Sequence, residues 1–259
     1  MQKAAPRAKT AATLMIGADR MLYVGPLRRS LAPRLLGGCS IYVAPRDFEI
    51  AIGAGPRRAS RFAVVPPHCG HWISPPEGSI WNLLIEPEST TGAAMAGLSK
   101  THPDDLLDSL AAACQRLAAS DGFTSQTLDG LIFGRALPVR PLDPRCATMI
   151  AALNADPSLC ADDCSRAVDL STSRFLHLFK QETGIPFRAF RMWKRARRFM
   201  DQATGESSLT EVAMSLGYPD SSHFSHSIRR TFGMGPSLLR AGARGLCVRL
   251  GYGYAPICV

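Results

Sequence analysis

The sequence predicts an α+β protein with a strand-rich first half and an all-helical second half. Two observations carry this. Between residues 20 and 90 the apolar runs are short and punctuated by Gly and Pro. Between Leu159 and Arg240 the chain writes one small two-helix device twice, with a basic helix between the copies. Gly134, Pro138, Pro141 and Pro144 fall between the halves, a density that breaks helices and stiffens a connector.

At 259 residues the chain has room for one or two domains, and a 46% hydrophobic share is ample for a packed core. The formal net charge of +9 favours an anionic partner. The excess is uneven. Arg174, Lys180, Arg188, Arg191, Lys194, Arg195, Arg197 and Arg198 crowd one short stretch, whereas residues 71–140 lean acidic. No apolar run of about 18 residues exists, so no membrane span is expected. Residues 1–12 are basic without an apolar core and read as a frayed tail, not a secretion signal. The eight cysteines have no framework spacing and suit reduced thiols of a cytoplasmic protein. Cys160 and Cys164 share a helix face, but no CxxC pair supports a zinc or redox role.

Residues 13–98 are expected to hold strands at Met21–Val24, Cys39–Val43, Phe48–Ile52, Phe62–Val65, Trp72–Ser74 and Ile80–Ile85, a pattern of small barrels and sandwiches. Residues 99–134 turn helical. Thr101 is a candidate cap, Asp104 and Asp105 suit a first turn, and Leu106, Leu107, Leu110, Cys114 and Leu117 form one apolar stripe. That stripe calls for a dimer partner or for packing on the chain's own strands. A second helix covers Gln126–Phe133. Residues 135–144 are the linker. Pro144 opens the next helix from its first turn, with Met149, Ile150 and Leu153 facing inward.

The first copy of the device runs from Asp162 to Gly184. Its support helix is Asp162–Val168, Asp169-Leu170 makes the turn and Ser171 caps the next helix, whose Phe175, Leu178 and Phe179 share a buried face. A helix of roughly residues 186–203 follows, about 25 Å long, with Phe190, Trp193, Ala196, Arg197 and Met200 on one stripe. The second copy opens on the capping box Ser208-Leu209-Thr210-Glu211 and closes its support helix at Gly217. Its second helix is expected over about 222–231, with Phe224, Ile228 and Phe232 inward. A helix-turn-helix of this kind can set its second helix into a DNA major groove.

The pattern over about 143–240 resembles the DNA-binding domain of the AraC/XylS family of transcription regulators. It does so through Leu170-Ser171, Ser173-Arg174-Phe175, Phe179-Lys180, Gly184, Arg195-Ala196, Glu211-Val212-Ala213, Leu216-Gly217-Tyr218, Asp220-Ser221-Ser222, Phe224-Ser225, Gly233, Pro236 and Arg240. The resemblance implies two recognition helices in successive major grooves of promoter DNA. Asp169 stands where glycine is usual, His177 and His226 where arginines are frequent, and Ile228 where phenylalanine is common. From groove physics, base edges fall to Thr172, Ser173, His177, Ser221, Ser222, Ser225 and His226. Arg174, Lys180, Arg188, Arg229 and Arg230 fall to phosphates.

The first half is similar to the cupin-like barrel of some of these regulators, through Leu22–Pro26, Ala63–His71 and Leu83–Ser89. This implies a pocket for a small-molecule effector, or a barrel used for homodimer contacts, with His71, Trp72 and Trp81 as candidate effector-binding residues. The Pro66–His71 segment matches the second cupin motif, but the upstream stretch 28–34 lacks the paired histidines of the first. A catalytic metal needs about three protein ligands, and only His68 and His71 stand together, so neither metal nor cofactor is expected, and no catalytic residue is assigned. The expected function is a cytoplasmic DNA-binding regulator, contacting RNA polymerase if it activates. A cupin-type metal-dependent enzyme fused to a DNA-binding module is the alternative, and an architectural DNA binder without effector a third. Residues 241–259 form a C-terminal tail without an assigned role.

Overall fold

The computed structural model describes residues 12–27, 30–203 and 205–252. The frayed tail expected over residues 1–12 lies outside them, Ala12 excepted, as do the last seven residues of the C-terminal tail.

The first half is one antiparallel sheet. Its strands are β1 (Thr13–Ile16), β2 (Arg20–Pro26), β3 (Cys39–Ile52), β4 (Arg58–Val65), β5 (His71–Ile73) and β6 (Ser79–Ile85). The order is β4-β3-β6-β2-β1, with β5 paired to β3. Two strands expected separately, at 39–43 and 48–52, are one long β3 with a register shift between Val43 and Phe48. The shift lets one half of β3 pair with β6 and the other with β5.

Strand β1 was not expected, because four residues next to a basic tail carry little pattern. The C-terminal tail supplies a further surprise. Strand β7 (Cys247–Leu250) lies parallel to β1, with Thr13 opposite Cys247 and Ile16 opposite Leu250. The end of the chain thus returns to its beginning.

Three helices cover one face of the sheet: α1 (Gly92–Gly97), which the sequence reading missed, α2 (Pro103–Ala118) and α3 (Ser125–Phe133). His102, not Thr101, occupies the cap position of α2, without a side-chain bond. The second half holds α4 (Pro144–Ala155), α5 (Ala161–Ala167), α6 (Thr172–Thr183), α7 (Phe187–Gln202), α8 (Leu209–Ser215), α9 (Ser221–Phe232) and α10 (Pro236–Ala243).

The strand period of two decides how the layers stack. Met15, Leu22, Leu83 and Ile85 face α2 and α3 and form one core with Leu106, Leu110 and Leu128. Their alternating neighbours Leu14, Ile16, Met21 and Leu84 point the other way, into a core shared with Trp193, Phe199, Phe224 and Ile228. A sheet buried on both faces explains why these strands read as nearly unbroken apolar runs. The leucine stripe of α2 is therefore satisfied by the chain's own sheet. A third core joins α4, α5, α6 and the first turns of α7 through Phe175, Phe179, Phe187 and Phe190. A fourth fills the inner curve of β3 with Tyr42, Phe48, Ile50 and Ile73.

Helix α7 seats on the sheet through a buried polar cluster. Glu86 accepts from Trp193 Nε1 at 2.8 Å and Lys194 Nζ at 3.0 Å, and its other oxygen lies 2.7 Å from Arg197 Nε. Glu88 takes a second Lys194 contact at 2.5 Å. Arg197 also donates to the Gly17 carbonyl. Gly37 leaves room for the indole, since a β-carbon there would lie 2.1 Å from Trp193 Cγ. Burial raises the Glu86 carboxyl, but Lys194 and then Arg197 outweigh it and hold it below the usual carboxylate range. Its contribution to stability is thus present above that range and lost as pH falls through it.

Glu86→Ala leaves two buried cations short of a partner and should cost about 3–5 kcal/mol. Urea unfolding of the full chain at neutral pH measures this, and a loss below about 1 kcal/mol would mean the cluster contributes nothing net.

Candidate nucleic-acid interface

The repeated device survives as two helix pairs, α5–α6 and α8–α9, each built by the same local bonds. In the first, Asp163 Oδ2 accepts from the Cys160 amide at 3.1 Å and secures the start of α5. In the second, the Ser208 hydroxyl accepts from the Glu211 amide at 3.1 Å, and the Glu211 carboxylate accepts from the Ser208 amide at 2.7 Å. That backbone bond, with the serine hydroxyl, holds the Glu211 carboxyl below its ordinary range.

The turns match residue for residue. The Leu170 amide donates to the Ser165 carbonyl at 3.0 Å, and the Tyr218 amide donates to the Ala213 carbonyl at 3.0 Å. The residue before each takes positive φ: Asp169 at 52° and Gly217 at 72°. Aspartate tolerates this left-handed conformation better than most residues, which is how Asp169 stands where glycine is usual.

Each second helix then opens on a cap. Ser171 Oγ accepts from the Arg174 amide at 3.4 Å. Asp220 Oδ1 accepts from the His223 amide at 2.8 Å, so α9 starts at Ser221, one residue before the expected start. Both helices end at a left-handed glycine, Gly184 and Gly233.

The caps and buried faces fix what is left outside. Phe175 and Phe179 of α6, and Phe224 and Ile228 of α9, are buried. Ser173, Arg174, His177, Lys180 and Arg188 are exposed, as are Ser221, Ser222, His226, Arg229 and Arg230. Ser225 is half-buried. Thr172 departs from this set. Its hydroxyl donates to Asp162 Oδ1 at 2.7 Å and lies 3.2 Å from Ser165 Oγ, so it faces back onto the support helix.

His223 was overlooked in the sequence reading. It is exposed in the first turn of α9, and its Nδ1 lies 2.7 Å from Asp220 Oδ2. Its position directly after Ser222 was the available signal. Lys194 and Arg195, part of the basic excess, are buried in α7, as is Arg197, which the sequence places on the stripe of Phe190 and Trp193.

The candidate effector residues do not converge on one lining. His71 is buried on the inner curve of the sheet, with Tyr42 Oη 3.0 Å and Arg34 Nε 3.1 Å from its Nε2. Trp72 alternates to the other side of β5 and stacks under Arg57, 4.2 Å from the ring centroid. Trp81 packs with the core that faces α2 and α3. Arg34 sits 5.1 Å above the Tyr42 ring, and among the described residues no carboxylate lies within ion-pair distance of it. Burial, and then Arg34, push the His71 imidazole down to about 3, against the Cys69 carbonyl, which favours the cation.

Among the described residues no group of three His, Cys, Asp or Glu side chains is placed to hold a metal ion. Cys160 is half-buried and Cys164 buried, its thiol pushed up to about 11 chiefly by burial. No helix among the described residues is long and apolar enough to cross a membrane.

Comparison with known proteins gives three findings. Residues 164–242 match the family model of the helix-turn-helix domain. The bifunctional transcriptional activator/DNA repair enzyme Ada of Escherichia coli K12 is 33% identical over 82 residues, which is 32% of this chain and 23% of that protein. The chain thus spans about a quarter of the length of that curated relative. The crystal structure of ToxT from Vibrio cholerae O395 aligns over 88% of this chain and 99% of its own, with TM-score 0.60 and 11% identity. ToxT of V. cholerae strain SCE256, solved with an unsaturated fatty acid bound, aligns over 92% and 98% with TM-score 0.54 and 12% identity. At such identity the likeness is one of fold: an N-terminal sheet followed by a helical C-terminal half.

Two outcomes are expected. Asp169→Gly should leave chemical-denaturation stability unchanged or raise it by about 0.5 kcal/mol, while Asp169→Val should lower it by about 1–2 kcal/mol; equal effects would show the turn is not strained. His71 is held neutral in the fold, whereas an unfolded imidazole titrates near about 6.5. The unfolded chain therefore binds more protons between that value and about 3, and the His71 contribution to stability is lost as pH falls through this window. The melting temperature should drop between pH 7 and pH 5, less steeply in His71→Gln; parallel profiles would remove His71 as the cause.

Proposed function

We propose that this chain, whose residues 164–242 match the helix-turn-helix domain model, is a transcription regulator of the AraC type that binds double-stranded promoter DNA through α6 and α9 together. The observation that carries the reading is the matched pair of turns. The same bond and a positive φ recur 48 residues apart, at Asp169 and Gly217, and each turn leads through a side-chain cap, Ser171 or Asp220, into a helix with an exposed polar first turn. Such a pair of helix-turn-helix motifs suits successive major grooves.

In this reading Ser173, His177, Ser221, Ser222, Ser225 and His226 meet base edges, joined by His223. Arg174, Lys180, Arg188, Arg229 and Arg230 meet phosphates and set register. Thr172 leaves the base-reading set, because its hydroxyl already donates to Asp162, and it orients α6 on α5 instead. The protein acts by binding and has no catalytic step or cofactor of its own. We assign it to the cytoplasm, as a homodimer that contacts RNA polymerase if it activates.

The first half is read as a cupin-like barrel that senses an effector. The half-buried Arg34 beside the buried Tyr42 and His71 supports an anionic effector, because a partly desolvated guanidinium without a described carboxylate partner gains from an anion that joins it. His71 stays in this site. Trp72 and Trp81 lie apart from it, on other sides of the sheet, and leave the site.

Selection of duplexes from a randomised library with the full chain tests DNA binding and yields the site. Against that site His226→Ala should lose about 1–3 kcal/mol of affinity and hardly change binding to random duplex. An equal loss on both would make His226 a backbone contact, and recovery of no enriched duplex would end the reading.

A further inference from the structure

The two helix pairs do not share an apolar core. Helix α7 gives Phe187 and Phe190 to the core of α4–α6, and gives Trp193, Ala196 and Phe199 to the core of α8–α10 and the sheet. Apolar packing therefore fixes each pair to its own half of α7 but not one pair to the other. A single helix is a compliant tether, since helices bend gently over such lengths.

A buried arginine bridges the gap. Arg195 lies mid-way along α7 and is 8% exposed. Its Nε donates to the Pro157 carbonyl at 2.9 Å and its Nη2 to the Ser158 carbonyl at 3.4 Å. Those carbonyls belong to the loop that leads into α5, the support helix of the first pair. The guanidinium carbon sits 5.7 Å from the centroid of the Tyr218 ring, in the turn of the second pair. Tyr218 Oη is 3.0 Å from Ser227 Oγ on α9, and both side chains are buried.

The backbone is shaped for this contact. At Gly217, a β-carbon would lie 3.0 Å from Ser158 Cβ and 3.1 Å from Arg195 Nη2. The turn of the second pair thus abuts the entry loop of the first directly, with the guanidinium alongside. One helical turn earlier, Arg191 donates to the Leu159 carbonyl at 3.0 Å and grips the same loop from the same face of α7.

We propose that Arg195 is the positioning residue that fixes the distance and angle between the two recognition helices, by tying the 157–158 loop to the Tyr218 turn. Its planar fork reaches two carbonyls while its face stacks on the ring, a combination that lysine does not reproduce. It touches no DNA. Its consequence for DNA binding rests on the reading that both helices dock at once, whereas its consequence for geometry does not.

The experiment keeps these apart. Nitroxides carried on keto side chains introduced at His177 and Ser222 of the full chain give a distance distribution by electron double resonance without DNA. Arg195→Gln should broaden that distribution while thermal unfolding stays cooperative. On the selected duplex, insertion of one to three base pairs between the two contacted segments should weaken the parent chain by about tenfold or more. Arg195→Gln should flatten this spacing dependence, with binding to either segment alone unchanged. Gly217→Ala drives a wedge between the same surfaces and should shift the mean distance, so it decides the matter if Arg195→Gln does not fold. An unchanged distribution in a folded variant overturns the proposal. A broadened distribution without any selected duplex supports it and overturns the DNA reading alone.

Discussion

One helix is buried around most of its circumference, Arg188 in its first turn excepted, and the rest of the molecule is arranged around that fact. Along α7, Phe187, Phe190, Trp193, Lys194, Arg195, Ala196, Arg197 and Phe199 are all buried. A helix in contact with a single core shows one apolar stripe about a third of its circumference wide. This one meets the first helix pair, the second pair and the sheet in turn, and each neighbour takes a different arc. Its position is over-determined, so neither helix pair can move against the sheet without breaking contacts on α7.

The charges on α7 follow from the same geometry. Three buried cations would be intolerable in an apolar interior. Two of them, Lys194 and Arg197, face Glu86 and Glu88 at the end of β6, which balances the cluster in formal charge. Burial and the like charge of Glu86 raise the Glu88 carboxyl, while Lys194 draws it down, so the cluster holds its two acids unequally. Among the described residues Arg195 has no carboxylate at contact and relies on two carbonyls and a ring, and burial lowers its pKa from the ordinary arginine value. Arginine suits such a site, because its charge is delocalised and weakly hydrated. Replacing an ion pair of this kind with apolar residues is often neutral for stability. What an apolar patch lacks is direction: the indole N–H, the ammonium and the guanidinium allow one register of α7 on the sheet.

The second half was legible because its signals are local. A capping box, a glycine after a helix and an apolar triplet at helical spacing are each set within a few residues, and the bounds of α6 and α7 follow from them. Even the irregular Asp169 was visible as a departure, and its φ of 52° gives the reason. What sequence could not give is relation. Lys194 is only one charge of a basic stretch, and Arg197 an odd member of an apolar stripe, until Glu86, more than 100 residues away, is placed beside them. Trp72 and Trp81 look like partners of His71 until the strand period sends them to other sides of the sheet. Strand β7 carries Arg249 among short apolar residues and gains its identity only from pairing with β1. Thr172 reads as a free hydroxyl until the support helix presents Asp162 to it.

The two helix pairs are held unequally, and this sets how any change in the sheet would travel. The last carbonyls of a helix lack intrahelical donors. At the end of α9 the first half supplies them: Leu35 donates to the Arg230 carbonyl at 2.9 Å and Ala32 to the Gly233 carbonyl at 3.2 Å. Gly233 permits this approach, since a β-carbon there would lie 2.6 Å from the Ala32 carbonyl. The same loop continues into Arg34, against His71 and Tyr42. A shift of that loop therefore acts on α9 without intermediary. The first pair has no such clasp among the described residues. It meets the sheet side mainly through Arg140, which donates to the carbonyls of Pro87 and Thr183. What moves α9 reaches α6 through α7, through the contact of the Gly217 turn with Ser158 and through the bridge at Arg195. Coupling between sheet and helices is thus direct for α9 and relayed for α6, and the buried Arg195 guanidinium lies on that relay.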